Sequence, residues 1–290
     1  MKPSSFVYHR PGSLEQCLDL LSQYGDEAAL IAGGQNLVPL MRFKLAQPSH
    51  VISMAGFGPE LPGIEPVAKG LAIGAMVTYR MVERSRDVVE VAPRLQQAIE
   101  LIATPPVRTR GTLCGNLCQA DPASELPAVA LVSGAEFHLR SKQGERIVGA
   151  PDFFLGPYTT ARRPDEIVTH VTFRACVPAE RFVIQEVNRQ RGGFPMAGVA
   201  ISLQIDGERV TAAAVACFGV HATALRIPEA EVALCSLGLT EHGLEEAAAA
   251  LSRTVEPHGD VFASAAYRRS AAQTLLKRAL RQARTIDATG

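Results

Sequence analysis

Residues 30–45 read LIAGGQNLVPLMRFKL, an apolar run that stops at two adjacent glycines, continues through two amide side chains and enters a segment interrupted by Pro39. Paired glycines lack side chains and reach backbone angles closed to other residues, so they suit a turn whose bare N–H groups approach something closely. The order predicts a short buried strand at 28–32, a turn at Gly33 and Gly34, and a helical segment at 37–45 with Pro39 in its first turn. Such a turn forms a concavity that suits phosphate, and the helix start adds partial positive charge. The spacing is neither G-x-G-x-x-G nor that of a P-loop, so neither dinucleotide Rossmann nor NTPase chemistry follows. Taken alone, the motif is equally a tight strand-to-helix turn without a ligand.

The flanks support this reading. Upstream, Ser13-Leu-Glu-Gln16 opens a helix in which Ser13 caps free N–H groups and Gln16 reaches back, with Leu14, Cys17, Leu18, Leu21 and Tyr24 on one face and Gly25 ending it. Downstream, 50–54 and 71–75 read as strands separated by the loop GFGPELPGIEP, Thr78 caps a short helix, and 88–103 forms a longer amphipathic one. The next region, TPPVRTRGTLCGNLCQADPASELPAVALVSGA, has little periodicity and reads as loop until a helix resumes at Glu125 or Leu126. Its RGTLCGN at 110–116 repeats the glycine theme with a hydroxyl and an amide. Two such loops favour a long polyanionic ligand with a ribose or ribityl portion: Thr112 and Asn116 suit phosphate oxygens or hydroxyls, and Glu125 can accept from hydroxyls. The plainer reading of Glu125 is a helix N-terminal acid favoured by the dipole. Beyond Pro178 the pattern changes to strands at 182–188 and through AGVAISLQIDGERVTAAAVACFGV, with Asp206-Gly207 as a hairpin turn, and then to helices at 244–253 and 263–284.

Composition narrows the class. At 290 residues the chain has room for about two domains, each with its own core. Its 29 basic and 29 acidic side chains balance, which gives no electrostatic case for nucleic acid or an anionic membrane. The start has no apolar signal core and no stretch reaches the ~18 residues of a spanning helix, so the chain is expected in the cytoplasm. Of the six cysteines only Cys114 and Cys118 are close, and C-x3-C without a second pair or nearby histidines is a poor zinc or iron-sulfur pattern. No Ser/His/Asp or Cys/His constellation stands out, so no catalytic residue and no metal ligand is assigned.

AGGQNLVPLM at 32–41, RGTLCGN at 110–116, DPASELPAV at 121–129, FFLGPY at 153–158, RRPDEIV at 162–168 and DVFASAAYRRSAAQTLLKRAL at 260–280 together resemble the FAD-binding medium subunit of molybdenum hydroxylases, of the carbon monoxide dehydrogenase and xanthine dehydrogenase type. The resemblance covers nearly the whole chain. It implies an α+β protein: a two-subdomain FAD-binding domain of the PCMH type, like that of vanillyl-alcohol oxidase, at 1–177, with subdomains at about 1–55 and 56–177, followed by a smaller α+β domain at 178–290. By the resemblance the first loop wraps the FAD pyrophosphate with Ala32, Gly33, Gly34, Gln35, Asn36 and Leu37. The second loop brings Thr112, Gly115 and Asn116, with Ser124 and Glu125 nearby, and Ile102 and Val168 line the flavin and adenine regions. Three positions depart from the family's pattern. Cys114 stands where T-I-G-G-N has glycine, which is expected to put a side chain where backbone usually comes close; Glu125 replaces the commoner Asp; Gln185 stands where xanthine dehydrogenases carry a lysine near the flavin.

The resemblance also implies that FAD is held non-covalently, that the molybdenum cofactor and two [2Fe-2S] clusters sit in a large and a small partner subunit, and that the assembly is a heterotrimer or its dimer. This chain would then carry electrons from the clusters onto FAD and out to an external acceptor, the chemistry being the cofactor's. The substrate, an N-heteroaromatic or purine, an aldehyde or carbon monoxide, is oxidised elsewhere. Two alternatives remain: a self-contained flavin-dependent oxidase or reductase, and an assembly or binding protein without FAD, for which Cys114 is the supporting feature.

Overall fold

The computed structural model describes residues 2–207 and 209–286. The helix Leu14–Tyr24 forms as its sequence dictates: the Ser13 hydroxyl accepts from the Gln16 N–H at 3.2 Å and the Gln16 side chain accepts from the Gly12 N–H at 2.9 Å. Its face of Leu14, Cys17, Leu18 and Leu21 is buried beside a three-stranded parallel sheet ordered Val7–His9, His50–Ser53, Ala28–Ile31. Parallel strands are joined only by crossovers, so the loop 32–36 leaves the sheet at the carboxyl end of Ala28–Ile31, where α/β sheets present ligand sites. The short helix Leu37–Arg42 follows.

A five-stranded antiparallel sheet comes next, ordered Ile64–Val67, Gly70–Gly74, Ile167–Arg174, Glu136–Ser141, Gly144–Gly149. Its buried face carries Leu71, Ile73, Phe137, Leu139, Val171 and Phe173. The single helix expected at 88–103 is two, Arg86–Val91 and Pro93–Leu101, broken at Ala92 (φ −141°), because a residue before proline is driven out of the helical region. The region expected to be loop contains the helices Pro105–Arg108 and Leu113–Gln119. The latter is one seven-residue segment with a glycine inside it, too short for a periodic pattern to show.

The third sheet is antiparallel, ordered Glu180–Val187, Ala197–Asp206, Arg209–Phe218, Leu225–Arg226. Asp206 and Gly207, with φ +58°, begin the expected hairpin turn; position 208 lies outside the described residues. Helix Glu241–Thr254 contains the expected segment 244–253, helix Ala265–Thr285 begins two residues later than the expected 263–284 because Ser264 caps it, and Pro228–Leu237 is an additional helix. Ile201, Leu203, Leu276 and Leu280 belong to a second core. Helix Glu125–Val132 is buried at every residue and packs against the strands Ala197–Asp206 and Arg209–Phe218 as well as the first core. A helix apolar all round belongs inside a protein. The chain is thus α+β, as its sequence implies.

One buried ion pair fastens the seam between the cores. Arg94, on helix Pro93–Leu101, donates to Glu180 of the third sheet and to the Arg174 carbonyl, and both charged side chains are essentially inaccessible. Glu180 also accepts from Ser202 at 2.7 Å, Arg174 at 3.2 Å and the Val177 N–H at 3.2 Å. Removing one partner of such a pair strands the other charge away from water. Arg94→Met is therefore expected to lower stability by about 3 kcal/mol in urea unfolding at neutral pH; a loss under ~1 kcal/mol, the range of exposed ion pairs, would contradict this role.

Candidate functional site: a cleft between two loops

Between the parallel sheet and the helices of the five-stranded sheet runs a cleft of about 580 Å³, within the range of small-molecule and cofactor sites. The first loop lies on one side. Gly33 packs so closely on the second loop that a Cβ on it would sit 2.0 Å from the Arg110 carbonyl oxygen and 3.0 Å from the Gly111 Cα. Gly34 takes φ +71°, open to glycine at little cost. The glycine pair thus lets two backbones touch and lets the chain turn. The Gln35 side-chain amide donates to the Gly33 carbonyl at 3.1 Å. The N–H groups of Gly33, Gly34, Gln35 and Asn36 have no protein acceptor among the described residues, so four successive donors are left for a ligand.

The second loop is pinned from behind. The Tyr79 N–H donates to the Gly111 carbonyl at 2.9 Å and the Leu113 N–H to the Val77 carbonyl at 3.1 Å. Tyr79 packs on Gly111, where a Cβ would meet its ring. Thr112 caps helix Leu113–Gln119 by accepting from the Gly115 N–H at 3.2 Å. The Asn116 side-chain carbonyl accepts from the Ser124 hydroxyl at 2.7 Å. Its amide and the Thr112 hydroxyl are thereby engaged in shaping the loop, a duty that spacing alone did not reveal.

All thirteen sequence-derived positions line this one cleft: Ala32, Gly33, Gly34, Gln35, Asn36, Leu37, Ile102, Thr112, Gly115, Asn116, Ser124, Glu125 and Val168. Cys114 also lines the cleft. Its thiol turns inward and donates to the Ile73 carbonyl at 3.3 Å, and burial raises it well above the ordinary thiol range. Gln185 is corrected more fully: it lies outside the cleft and donates to Gln282 at 2.7 Å, on the terminal helix Ala265–Thr285. Neighbours on a strand face opposite ways, so Glu186 turns to the face opposite Gln185, where its Oε1 accepts from the Asn188 side-chain amide at 2.7 Å. Burial first, and the Glu186 carboxylate second, raise Glu125 above the usual carboxylate range; burial likewise raises Glu186.

Several lining residues were not anticipated. Arg162 is the one basic side chain lining the cleft among the described residues, and its guanidinium donates to the Glu166 carbonyl at 2.8 Å. Ala103 holds φ +49°, uncommon for a residue with a Cβ; Arg108 donates to the adjoining Ile102 carbonyl at 3.0 Å. Gly192, Gly193 and Phe194 come from the third sheet's side, with Gly192 so close that a Cβ would lie 2.4 Å from the Ala103 carbonyl oxygen. Arg162 lies in the quoted segment RRPDEIV without having been singled out, and the others had no local signature, since each depends on segments far apart in the chain.

Residues 4–174 match the family of FAD binding domains in molybdopterin dehydrogenases, and residues 182–283 match the C-terminal domain of carbon monoxide dehydrogenase flavoproteins. The chain belongs to this flavoprotein family. It is 34% identical to the carbon monoxide dehydrogenase medium chain of Hydrogenophaga pseudoflava over 283 residues, 98% of each chain. It is also 34% identical to the nicotine 6-hydroxylase medium subunit of Paenarthrobacter nicotinovorans over 285 residues, 98% of this chain and 99% of the other. Among solved structures, carbon monoxide dehydrogenase from Hydrogenophaga pseudoflava, in a form lacking the Mo-pyranopterin moiety of its molybdenum cofactor, superposes with a TM-score of 0.95 at 35% identity, covering 98% of each chain.

FAD fits what this cleft offers: a row of unused N–H groups, one arginine and apolar walls suit a diphosphate and an aromatic ring system. Gly33→Ala would force the two loops apart while touching neither core. The expected result is a chain with an unchanged circular dichroism spectrum whose FAD affinity falls at least ~10-fold, about 1.4 kcal/mol. Undiminished FAD affinity would show that the loop contact does not form the site.

Proposed function

We propose that this flavoprotein is the electron-transfer subunit of a molybdenum-containing dehydrogenase. A small partner subunit delivers electrons from its [2Fe-2S] clusters, a large partner subunit with the molybdenum cofactor oxidises the substrate, and an external acceptor takes the electrons away. The observation that carries the reading is the loop pair Gly33–Asn36 and Thr112–Asn116 on one cleft, in a chain similar to medium chains over 98% of its length. The thirteen lining positions are proposed as FAD contacts, with Arg162 added because a diphosphate needs a counter-charge.

Bound FAD supplies the redox chemistry, receiving electrons one at a time and releasing them singly or in pairs. The chain's own part is to bind and orient it. The amides of Gly33 to Asn36 and the Arg162 guanidinium suit the diphosphate, Ile102 and Val168 give apolar walls, and Phe194 stands at the cleft from the third-sheet side. No protein acid or base is required for electron transfer itself. Burial pushes the Cys118 thiol up to about 11, so that sulfur is not a nucleophile at neutral pH.

Domain boundaries near 55 and 177 are proposed with this function, supported by the way the three large sheets fall into residues 7–53, 64–174 and 180–226. Cytoplasmic placement is proposed too. Among the described residues no helix is long and apolar enough to cross a membrane. The unpaired thiols of Cys17, Cys114 and Cys217 are buried in the cores, where a reducing compartment is the natural setting.

The test is flavin content followed by turnover. The purified chain should be yellow or take up FAD, and it should oxidise none of the candidate substrates by itself. Turnover should arise only when the large and small partners are supplied. Substrate oxidation by the isolated chain would favour a self-contained flavin enzyme; failure to take up FAD at all would favour the assembly-protein reading.

A further inference from the structure

The turn between helices Pro93–Leu101 and Pro105–Arg108 consists of Ile102, Ala103 and Thr104, and all of them line the cleft. Its conformation is costly by itself: Ala103 holds φ +49°, where a Cβ crowds the following carbonyl. Arg108 braces it. Its Nη1 donates to the Ile102 carbonyl at 3.0 Å and, more weakly, to the Ala103 carbonyl at 3.4 Å. The other arm of the guanidinium, Nη2, lies 3.7 Å from the carboxylate of Glu83, which Arg80 holds at 2.8 Å on the helix Tyr79–Arg84. The Arg108 side chain is 13% exposed, yet it does not line the cleft. Gly192 closes on the Ala103 carbonyl from the third-sheet side, with no room for a Cβ.

The direction of those carbonyls fixes the direction of two donors. A peptide unit is planar and trans, so its N–H points opposite to its C=O. Holding the Ile102 carbonyl turns the Ala103 N–H away from Arg108, and holding the Ala103 carbonyl does the same to the Thr104 N–H. Neither N–H has a protein acceptor among the described residues. With the guanidinium behind the turn and the cleft in front of it, the cleft is the side left to them. Two successive donors thus stand beside Ile102, separate from the row at Gly33 to Asn36, and an unpaired backbone donor in a cofactor site is one the cofactor can satisfy.

Resting on the FAD reading of the cleft, we propose that Arg108 is a positioning residue that aims the Ala103 and Thr104 N–H groups at the pyrimidine edge of the flavin ring. Chemistry selects that edge. The dimethylbenzene end of the ring has no acceptor, and the diphosphate is provided for by the first loop and Arg162. Adenine sets its N7 acceptor beside an exocyclic amino donor. The flavin's pyrimidine ring instead offers adjoining acceptors, O4 with N5 and N1 with O2, which two successive N–H groups match. That edge gains electron density on reduction, so donors fixed there hold the reduced form more tightly than the oxidised one. Arg108 touches no cofactor atom. It acts through the two carbonyls it holds, and a cation on a carbonyl also polarises the N–H of the same peptide.

The deciding experiment measures the flavin midpoint potential and the infrared bands of the flavin C2 and C4 carbonyls in FAD-loaded wild type, Arg108→Met, Arg108→Lys and Glu83→Gln. Methionine fills the space without a donor or a charge, lysine keeps both, and Glu83→Gln slackens the anchor of the guanidinium without touching the turn. In Arg108→Met a carbonyl band should rise in frequency, and the preference for reduced over oxidised FAD should fall about 10-fold, which is about 30 mV for a two-electron couple. Arg108→Lys should restore most of both, and Glu83→Gln should move both the same way by less. Bands and potential unmoved in Arg108→Met, even with weaker FAD binding, would make Arg108 a structural prop or give the donors to adenine, and would overturn the proposal. If Arg108→Met does not fold, Glu83→Gln decides by the same bands and potential. A wild type that takes up no FAD would defeat the reading of the cleft and this proposal with it, whereas FAD bound normally with unmoved bands defeats the proposal alone.

Discussion

The cleft exists because two stretches of backbone touch. Gly33 lies against Arg110 and Gly111 with no room for a single carbon between them, and much of the site follows from that contact. It sets the first loop's amides beside the second loop, whose own shape is fixed by the strand-like bonds of 77–79 to 111–113 and by the Thr112 cap. A ligand between the loops then meets rigid donors on one side and a pinned, capped turn on the other. Such preorganisation is what a subunit whose chemistry belongs to its cofactor has to supply. The glycine is therefore explained first by the loop it touches, and by the phosphate only through that loop.

Local features were legible in the sequence where local physics decides them. Ser13 and Gln16 announced the first helix, and the adjoining strand and turn around Ala28 to Gly34 followed from an apolar run meeting glycines. Asp206-Gly207 marked the hairpin. Proline chemistry also explains the main local misreading: apolar periodicity ran through 88–103, yet Pro93 divides it, because its ring constrains Ala92 more strongly than the pattern favours continuity. Helix Glu125–Val132 could be seen as a helix, but its burial on every side depends on a third sheet whose position no local pattern states.

The site was legible through its motifs and hidden in its partners. The residues that line the cleft from the two glycine loops carry recognisable signatures, whereas Ala103 and Phe194 arrive from segments that only the fold brings near, and Arg162, though inside RRPDEIV, is given its place at the cleft only by the fold. Cys114 and Gln185 teach the same lesson from the other side. Each departs from the family's pattern, and each side chain is tied to a partner within the protein: the thiol to the Ile73 carbonyl, the amide to Gln282. The strand alternation that carries Gln185 to the terminal helix turns Glu186 to the opposite face.

The central claim is that FAD lies between the two loops. Its most direct test is the difference electron density of FAD in crystals of the protein purified with the cofactor. The account predicts the diphosphate within hydrogen-bond distance of the N–H groups of Gly33 to Asn36, with Arg162 beside it and the Thr112–Asn116 turn on the opposite side. Density for FAD at another surface, with this cleft filled only by water in a yellow crystal, would contradict it.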